Sequence, residues 1–385
     1  MNGNFVMERM RYLRPFADLF VVAPVPFFPR IPLNRRWYEF SQVPYHEELS
    51  GFRIDHPRYL VFPKFGMATH GVSMFLGSFA QVRRRSIEAP FDLIDAHFIY
   101  PDGLAAVMLG AMLGKPVVIS ARGSDINQFP KFNTIRPLIR KVLRRADALI
   151  AVSQSLKDVM VDLGCPSEKV TVIGNGVDSV KFSPRPRAEM RLRLGLPLDR
   201  PILLSVGHLT ERKGFHVLID AIGQLRHKQP DVLLCIVGDG VYRSRLEHQI
   251  RRLGVQDHVK LVGARDHSEL YMWYSAAEVF CLASSREGWA NVLLEAMACG
   301  IPTIATRVWG APEIVVSDAF GILVRRSAAE FTHAAEQALS RQWNHDAIRE
   351  HAQRHTWENV AQRILRVYSE VFAGGGAPAI RPIKS

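Results

Sequence analysis

Short apolar runs, each bounded by polar loops, recur along most of this chain and alternate with helical patterns. Residues 91–97, 116–120, 148–152 and 169–173 read as strands, and residues 104–113 and 134–145 between them read as helices. The alternation pauses at the linker-like stretch FSPRP, residues 182–186. It then restarts. Strand-like runs follow at 201–206, 232–237, 259–262, 278–283, 303–306 and 321–324, with helical patterns at 217–225, 268–276, 328–339 and 356–372. Strands alternating with helices specify parallel α/β sheets. The expected fold class is α/β, with two successive doubly wound Rossmann-like domains and ligand at the carboxyl ends of strands in the cleft between them. The expected bounds are 1–182 for the first domain and 183–355 for the second. A C-terminal helix, 356–373, is expected to pack back on the first domain, and 374–385 is expected to be a disordered Gly/Pro tail.

The beginning of the chain is less regular. Residues 1–14 are polar with a helical pattern through Phe5, Val6, Met10 and Leu13, and 18–24 reads as a short strand. Residues 34–63 read as a long irregular stretch rich in aromatic side chains, and a loop of that length inside a compact domain is usually functional. Residues 67–85 read as a helix ending in three arginines.

One stretch carries the most chemistry: SSREGWANVLLEAMACGIP, residues 284–302. It follows a strand-like run, bears Glu287 and Gly288 in a loop, and enters a helix that Asn291 can cap. Gly300 and Pro302 end that helix. A Gly-bearing loop feeding a helix N-terminus offers free N–H groups and a favourable dipole to an anion. Glu287 and Glu295 flank the anion site, where phosphate would repel them; an ionised carboxylate only accepts hydrogen bonds, which suits sugar diols. Phosphate between two hydroxyl readers describes a nucleoside diphosphate sugar. A glutamate in a first turn can also merely suit the dipole, at about 0.3–1 kcal/mol.

Glu287-Gly288, then six residues, then Glu295-Ala296-Met297-Ala298 with Gly300 and Pro302, resembles the E-x7-E signature of the retaining glycosyltransferases of family 4, which have the GT-B fold. The resemblance implies that Glu287 grips the donor sugar and Glu295 the ribose. It makes Gly288, Trp289, Ala290, Asn291 and Val292 the donor-binding loop and first turn between them. Residues 207–214 resemble the family's phosphate loop. Lys213 matches the family lysine, and His208 stands where the family has arginine, which leaves Arg212 as a substitute for the lost charge. On this reading Glu287, Lys213 and Arg212 carry catalysis, although a basic pair in a loop can simply be solvated. Gly238-Asp239-Gly240 resembles the turn beside the nucleotide base. Asn175-Gly176-Val177-Asp178 with Phe182 matches a family pattern before the linker, and its turn chemistry alone accounts for it. On the acceptor side, Arg122-Gly123-Ser124-Asp125 aligns with the family's H-G-x-D, with arginine in place of histidine, and His97 ends another strand.

The family implies transfer with retention, by a front-face route in which the leaving diphosphate helps to deprotonate the acceptor. Catalysis then rests on positioning and on stabilising diphosphate charge. No cofactor and no metal are expected, because the nucleotide sugar is itself the substrate and no Asp-x-Asp motif occurs. Family members of this type build envelope or exported polysaccharides, so the expected acceptor is a glycan or a lipid-linked glycan. The rival readings are a nucleotide-sugar 2-epimerase of the same fold, which needs no acceptor, and a non-catalytic nucleotide-sugar-binding subunit. No strand is followed by G-x-G-x-x-G, which argues against a nicotinamide oxidoreductase. The resemblance also leads one to expect that the first strand of the N-terminal domain is missing, with Gly3 the remnant of the loop after it.

Net charge is +12, divided as +6 on each side of residue 180, so no lopsided basic domain or tail marks a nucleic-acid partner. An anionic membrane surface is a candidate partner for Arg83–Arg85, and for Arg140, Lys141, Arg144 and Arg145 beside Leu138, Ile139, Val142 and Leu143. No apolar run approaches a bilayer span and no signal peptide is read at the start. The expected location is cytoplasmic, with the inner face of the plasma membrane as the surface in question. Four cysteines lack CxxC spacing, and Cys235 and Cys281 lie in strand-like runs as core residues.

Overall fold

A computed structural model of the chain describes residues 4–28, 35–61 and 66–375. Its contacts divide the chain into two units: Met1–Gly174 with Ala361–Ser385, and Asn175–Val360.

The first unit opens with the helix Asn4–Leu13. Small sheets follow. Strand β1 (Val21–Val22) pairs parallel to β4 (Phe52–Asp55), which pairs antiparallel to β3 (His46–Leu49). β2 (Val25–Pro26) pairs parallel to β5 (Arg58–Tyr59). The expected irregular stretch is therefore largely ordered: it contains the helix Arg35–Gln42 and a hairpin. The hairpin turn is Ser50-Gly51, both at positive φ (54° and 78°), the two-residue geometry that matches strand twist. Phe52 and Ile54 are buried while Arg53 is exposed, a period of two.

The main sheet of this unit has β6 (Ile94–His97), β7 (Val117–Ala121), β8 (Ala148–Ala151) and β9 (Val170–Val172), in that order and all parallel. All five residues of β7 are buried, as a strand covered by helices on both faces requires. Among the described residues β6 has one ladder neighbour, β7. Residues 4–13 form no strand, and Val21–Val22 joins the small sheet instead. Residues 1–3 lie outside the described residues, as do 376–385 of the expected tail. The helix Arg136–Arg145 buries Ile139, Val142 and Leu143. The apolar residues expected to lie beside lipid thus pack into the unit, and Arg140, Lys141, Arg144 and Arg145 face solvent.

The second unit has one six-stranded parallel sheet. Its strands are β10 (Ile202–Val206), β11 (Leu233–Val237), β12 (Val259–Gly263), β13 (Val279–Leu282), β14 (Thr303–Thr306) and β15 (Gly321–Val324). They lie in the order β12-β11-β10-β13-β14-β15. Counted within the unit this is 3-2-1-4-5-6, so the winding reverses between β10 and β13. Successive side chains serve opposite faces. Ile202, Leu204 and Val206 join the core under Leu270–Ala276 and Asn291–Ala298. Leu203 joins the core under Phe215–Leu225 and Ala328–Ser340. Each fully buried aliphatic side chain in these layers stabilises by about 2 kcal/mol relative to exposure. All four cysteines are buried thiols.

The division at 174/175 differs from the expected 182/183. Val177 N donates to His355 O (2.8 Å), Asn175 donates to Asn291, and Phe182 packs on Tyr274, so residues 175–182 join the second unit. The final helix, Trp357–Gly375, counts with the first unit from Ala361 onward. There Arg363 donates to Val172 O (2.6 Å) and the Tyr368 hydroxyl to Asp95 (2.7 Å).

Candidate functional site

The reversal between β10 and β13 is where a sheet of this winding offers a crevice beyond the carboxyl ends of its strands. Three loop ends meet there. Gly238, after β11, lies so close to the loop after β10 that a Cβ would fall 1.9 Å from Gly207 O. Gly214, at φ +73°, lies so close to the end of β13 that a Cβ would fall 2.0 Å from Ala283 O. Only glycine permits both approaches. Leu209 N donates to Asp239 O (2.9 Å) and Ser285 N to Arg212 O (2.8 Å). Arg326 adds a brace, donating to Ala283 O (2.8 Å) and Glu211 O (3.1 Å).

The braced loops bring Lys213 Nζ to 2.7 Å from Glu287 Oε1, and Ser284 Oγ donates to the same oxygen at 2.6 Å. Arg212 donates to Arg286 O (2.6 Å) and stands 3.6 Å from Glu287 Oε2. Glu287 is buried. The three expected catalytic residues therefore form one cluster. Lys213 keeps two further N–H donors, and Glu287 Oε2 keeps acceptor capacity. His208 and Asp239 are exposed on the neighbouring turns.

The helix Asn291–Ala298 starts one residue earlier than a capping Asn291 would require. Ala290 occupies the cap position, without a side-chain cap bond. Asn291 is the first helical residue, and its Oδ1 accepts from Asn175 (3.1 Å). Its amide is engaged with Asn175, and among the described residues no side chain caps the first-turn N–H groups. Gly288 lies in the loop. The side chains of Trp289 and Val292 pack on the core, and Ala290 is buried within it.

Glu295, one turn into the helix, is buried and held on both oxygens. The Tyr274 hydroxyl donates to Oε2 (2.8 Å), and His267 Nε2 lies 3.1 Å from Oε1. Burial and the neighbouring Glu295 hold the Tyr274 hydroxyl protonated, its pKa well above the usual tyrosine value.

In the first unit, His97 ends β6 and Arg122 follows β7. Arg122 Nη2 donates to His97 Nδ1 at 2.7 Å. An arginine only donates, so Nδ1 carries no proton and the ring is neutral. Burial, then Arg122 and Arg9, push the His97 pKa well below its ordinary value. Burial likewise lowers Arg122, to about 9. Asp125 is fully buried and accepts from Ile99 N (2.8 Å), Gly123 N (2.8 Å) and Arg122 N (3.1 Å). Its work is to shape the loop that presents Arg122.

Sequence reasoning missed the groups behind these side chains. Asp95 accepts from Arg9 (3.0 Å) and Tyr368 (2.7 Å), and Arg9 also donates to Ser120 Oγ (2.6 Å). Arg9 is 2% exposed, and a buried arginine requires a partner of this kind. Asp102, the first residue of the helix Asp102–Leu113, is pushed up to about 7 by burial. Only the His267-Ser268-Glu269 stretch ahead of a helical pattern could have hinted at His267. No local signal marks Arg9 or Tyr368.

Two family models match: "Glycosyltransferase Family 4" over residues 24–181 and "Glycosyl transferases group 1" over residues 186–355. The chain is 34% identical over 254 residues to the putative colanic acid biosynthesis glycosyltransferase WcaL of Escherichia coli, with 63% of this chain and 60% of that protein covered. It is 31% identical over 285 residues to the GDP-mannose-dependent alpha-(1-6)-phosphatidylinositol monomannoside mannosyltransferase of Mycolicibacterium smegmatis, with 71% of each covered. Among solved structures, Anabaena HepE in complex with UDP superposes with TM-score 0.76 at 22% identity, covering 96% of this chain and 97% of that one. The sucrose-phosphate synthase of Thermosynechococcus elongatus superposes with TM-score 0.72 at 23% identity, covering 86% and 87%. The fold is that of the GT-B glycosyltransferases. With the two models matching one after the other along the chain, and a curated relative matched over most of its length, this chain belongs to glycosyltransferase family 4.

Proposed function

We propose that this chain transfers a sugar from a nucleoside diphosphate sugar to a glycan or lipid-linked acceptor, with retention at the anomeric carbon, in the synthesis of envelope or exported polysaccharide. The observation that carries the reading is the cluster of Lys213, Glu287 and Ser284 at the winding reversal of the second unit. Lys213 directs its remaining N–H donors at the diphosphate, and Arg212 adds charge beside it. Glu287 Oε2 accepts from a hydroxyl of the donor sugar, and Glu295 accepts from the ribose. The first-turn N–H groups at Asn291 and Val292 face phosphate. Gly238, Asp239 and Gly240 line the base, with His208 on the adjacent turn. Gly288, Trp289 and Ala290 supply backbone to the same loop.

In the first unit Arg122 meets the acceptor side, His97 holds it, and Asp125 sets its loop. The leaving diphosphate takes the acceptor proton, so no side chain has to serve as base. Lowering the barrier is then electrostatic, from fixed donors aimed at developing charge. The relatives' names support the polysaccharide and glycolipid setting. No metal and no cofactor take part in this scheme. The exposed Arg83, Arg84, Arg140, Lys141, Arg144 and Arg145 suit anionic headgroups at the inner face of the plasma membrane. Flotation with anionic vesicles at low salt checks that point, and protein left at the bottom removes it.

The test of function is a thermal-shift panel of UDP-, GDP- and ADP-sugars, followed by transfer to lipid-linked acceptors. A bound donor raises the melting temperature by mass action. Product with the donor's anomeric configuration is expected. Inversion, isomerised donor without acceptor, or binding without turnover would each replace the reading with another.

A further inference from the structure

The carboxylate of Glu295 is the end of a chain of contacts that runs from the buried Glu295 to half-buried side chains. His267 Nε2 lies 3.1 Å from Glu295 Oε1, and His267 Nδ1 lies 2.6 Å from Lys181 Nζ. An ammonium has N–H donors and no acceptor, so Nδ1 must accept. The single hydrogen of the neutral ring then sits on Nε2, aimed at the carboxylate. With the other tautomer, a nitrogen lone pair would face a carboxylate lone pair, and the contact would become repulsive. Lys181 thus fixes which form of the ring is present.

Lys181 is itself placed. Asp178 Oδ1 accepts from Val180 N (3.1 Å) and Lys181 N (2.9 Å), closing a turn. Phe182, 1% exposed, meets the His267 ring edge-on at 5.3 Å and the Tyr274 ring at 5.9 Å. Tyr274, fully buried, donates to the other oxygen of Glu295. Each oxygen therefore has one donor from the protein and one acceptor site to spare.

We propose that His267 and Tyr274 are positioning residues that aim the two spare acceptor sites of Glu295 at the ribose diol, and that Lys181 makes this possible by selecting the His267 tautomer. The inference rests on the reading of Glu295 as the ribose contact. It adds that ribose recognition is built from residues 181, 267 and 274 as well as from the E-x7-E motif. The short turn at Asp178–Lys181 thereby gains a role that turn chemistry alone does not give it.

The test measures Kd by titration calorimetry for UDP, GDP, ADP and their 2′-deoxy forms, using the full chain and its Glu295→Gln, His267→Phe, His267→Gln and Lys181→Met variants. The parent should prefer the ribonucleotide by about tenfold, the worth of a hydrogen bond to a charged group. Glu295→Gln and His267→Phe should bring the ratio near unity, and Lys181→Met should reduce it several-fold. His267→Gln, which keeps an N–H donor at that reach, should restore most of it. Donor KM should rise in His267→Phe with kcat at saturation little changed. A purely structural role would weaken ribo and deoxy forms equally. If Glu295→Gln loses the preference while His267→Phe and Lys181→Met keep it, the inference falls and the ribose reading stands. If Glu295→Gln keeps it, or none of the three ribonucleotides binds the parent, the ribose reading falls and takes the inference with it. Lys181→Met retains the aliphatic stem of a half-buried residue, so it tests the idea even if His267→Phe fails to fold.

Discussion

The two units solve the same problem, holding charge at the ends of parallel strands, in different ways. In the second unit the charged groups sit on loops that directly follow the strands. Lys213 and Glu287 come from the loops after β10 and β13, and glycine contacts between those loops set their distance. In the first unit Arg122 also follows a strand, but its support is remote. His97 holds Arg122 and lies 3.8 Å from Asp95, which depends on Arg9 and Tyr368. Arg9 and Tyr368 are 359 residues apart in sequence. One site is set by local backbone, the other by side chains that meet only in the finished fold. A change in the second unit should therefore be felt in chemistry, and a change in the first in stability.

The sharpest test is Lys213→Ala. It should lower kcat by about 10²–10³, the usual cost of one preorganised donor, with a smaller loss of stability than Arg9→Ala because Ser284 and Arg212 remain beside Glu287. A large loss of stability instead would erase the contrast. Next comes Arg9→Ala, which removes the buried partner of Asp95. Breaking such a pair should destabilise by about 3 kcal/mol in urea unfolding, with donor affinity unchanged. Unaltered stability would show that Tyr368 alone suffices.

Acid offers a third test. His97 has a folded pKa well below 6.5, so the unfolded chain binds the proton first. The stability it contributes is present above pH 6.5 and is lost as pH falls below it, at up to about 1.4 kcal/mol per pH unit. His97→Gln should lack that increment between pH 5 and 6.5, whereas Lys213→Ala should keep it. Parallel curves for the parent and His97→Gln would count against a neutral His97. The smallest effect is expected for Tyr368→Phe, about 1 kcal/mol for one hydrogen bond, since Arg9 remains on Asp95.

The same contrast governs what could be read in advance. The strand runs after residue 201 are apolar on both faces, as a sheet covered twice must be, and the loops that follow them bear the glycines that bring those loops together. Because a parallel sheet places all such loops at one end, Lys213 and Glu287 were legible as neighbours across 74 residues. The role of Asn291 was not, since a residue that can cap in isolation is recruited by Asn175 once the fold forms. Nor was the hairpin of β3 and β4, where an alternation of only four residues is overwritten by aromatic content. Residues 175–182 group by contact with the second unit, through long-range hydrogen bonds and ring contacts to Asn291, His355 and Tyr274, whereas the two family models meet between 181 and 186, where the linker-like FSPRP stretch lies.

The passage of the last helix from one unit into the other has a consequence for how the chain is made. Asp95 and Tyr368 are 273 residues apart, so the ribosome must add the whole of the second unit before the first receives its final hydrogen bond. At ordinary elongation rates that interval is on the order of tens of seconds. During it the second unit, contiguous from Asn175 to Val360, has all of its own strands and can settle. The unit synthesised first is the one that finishes last, and through that wait Asp95 faces Arg9 without its tyrosine.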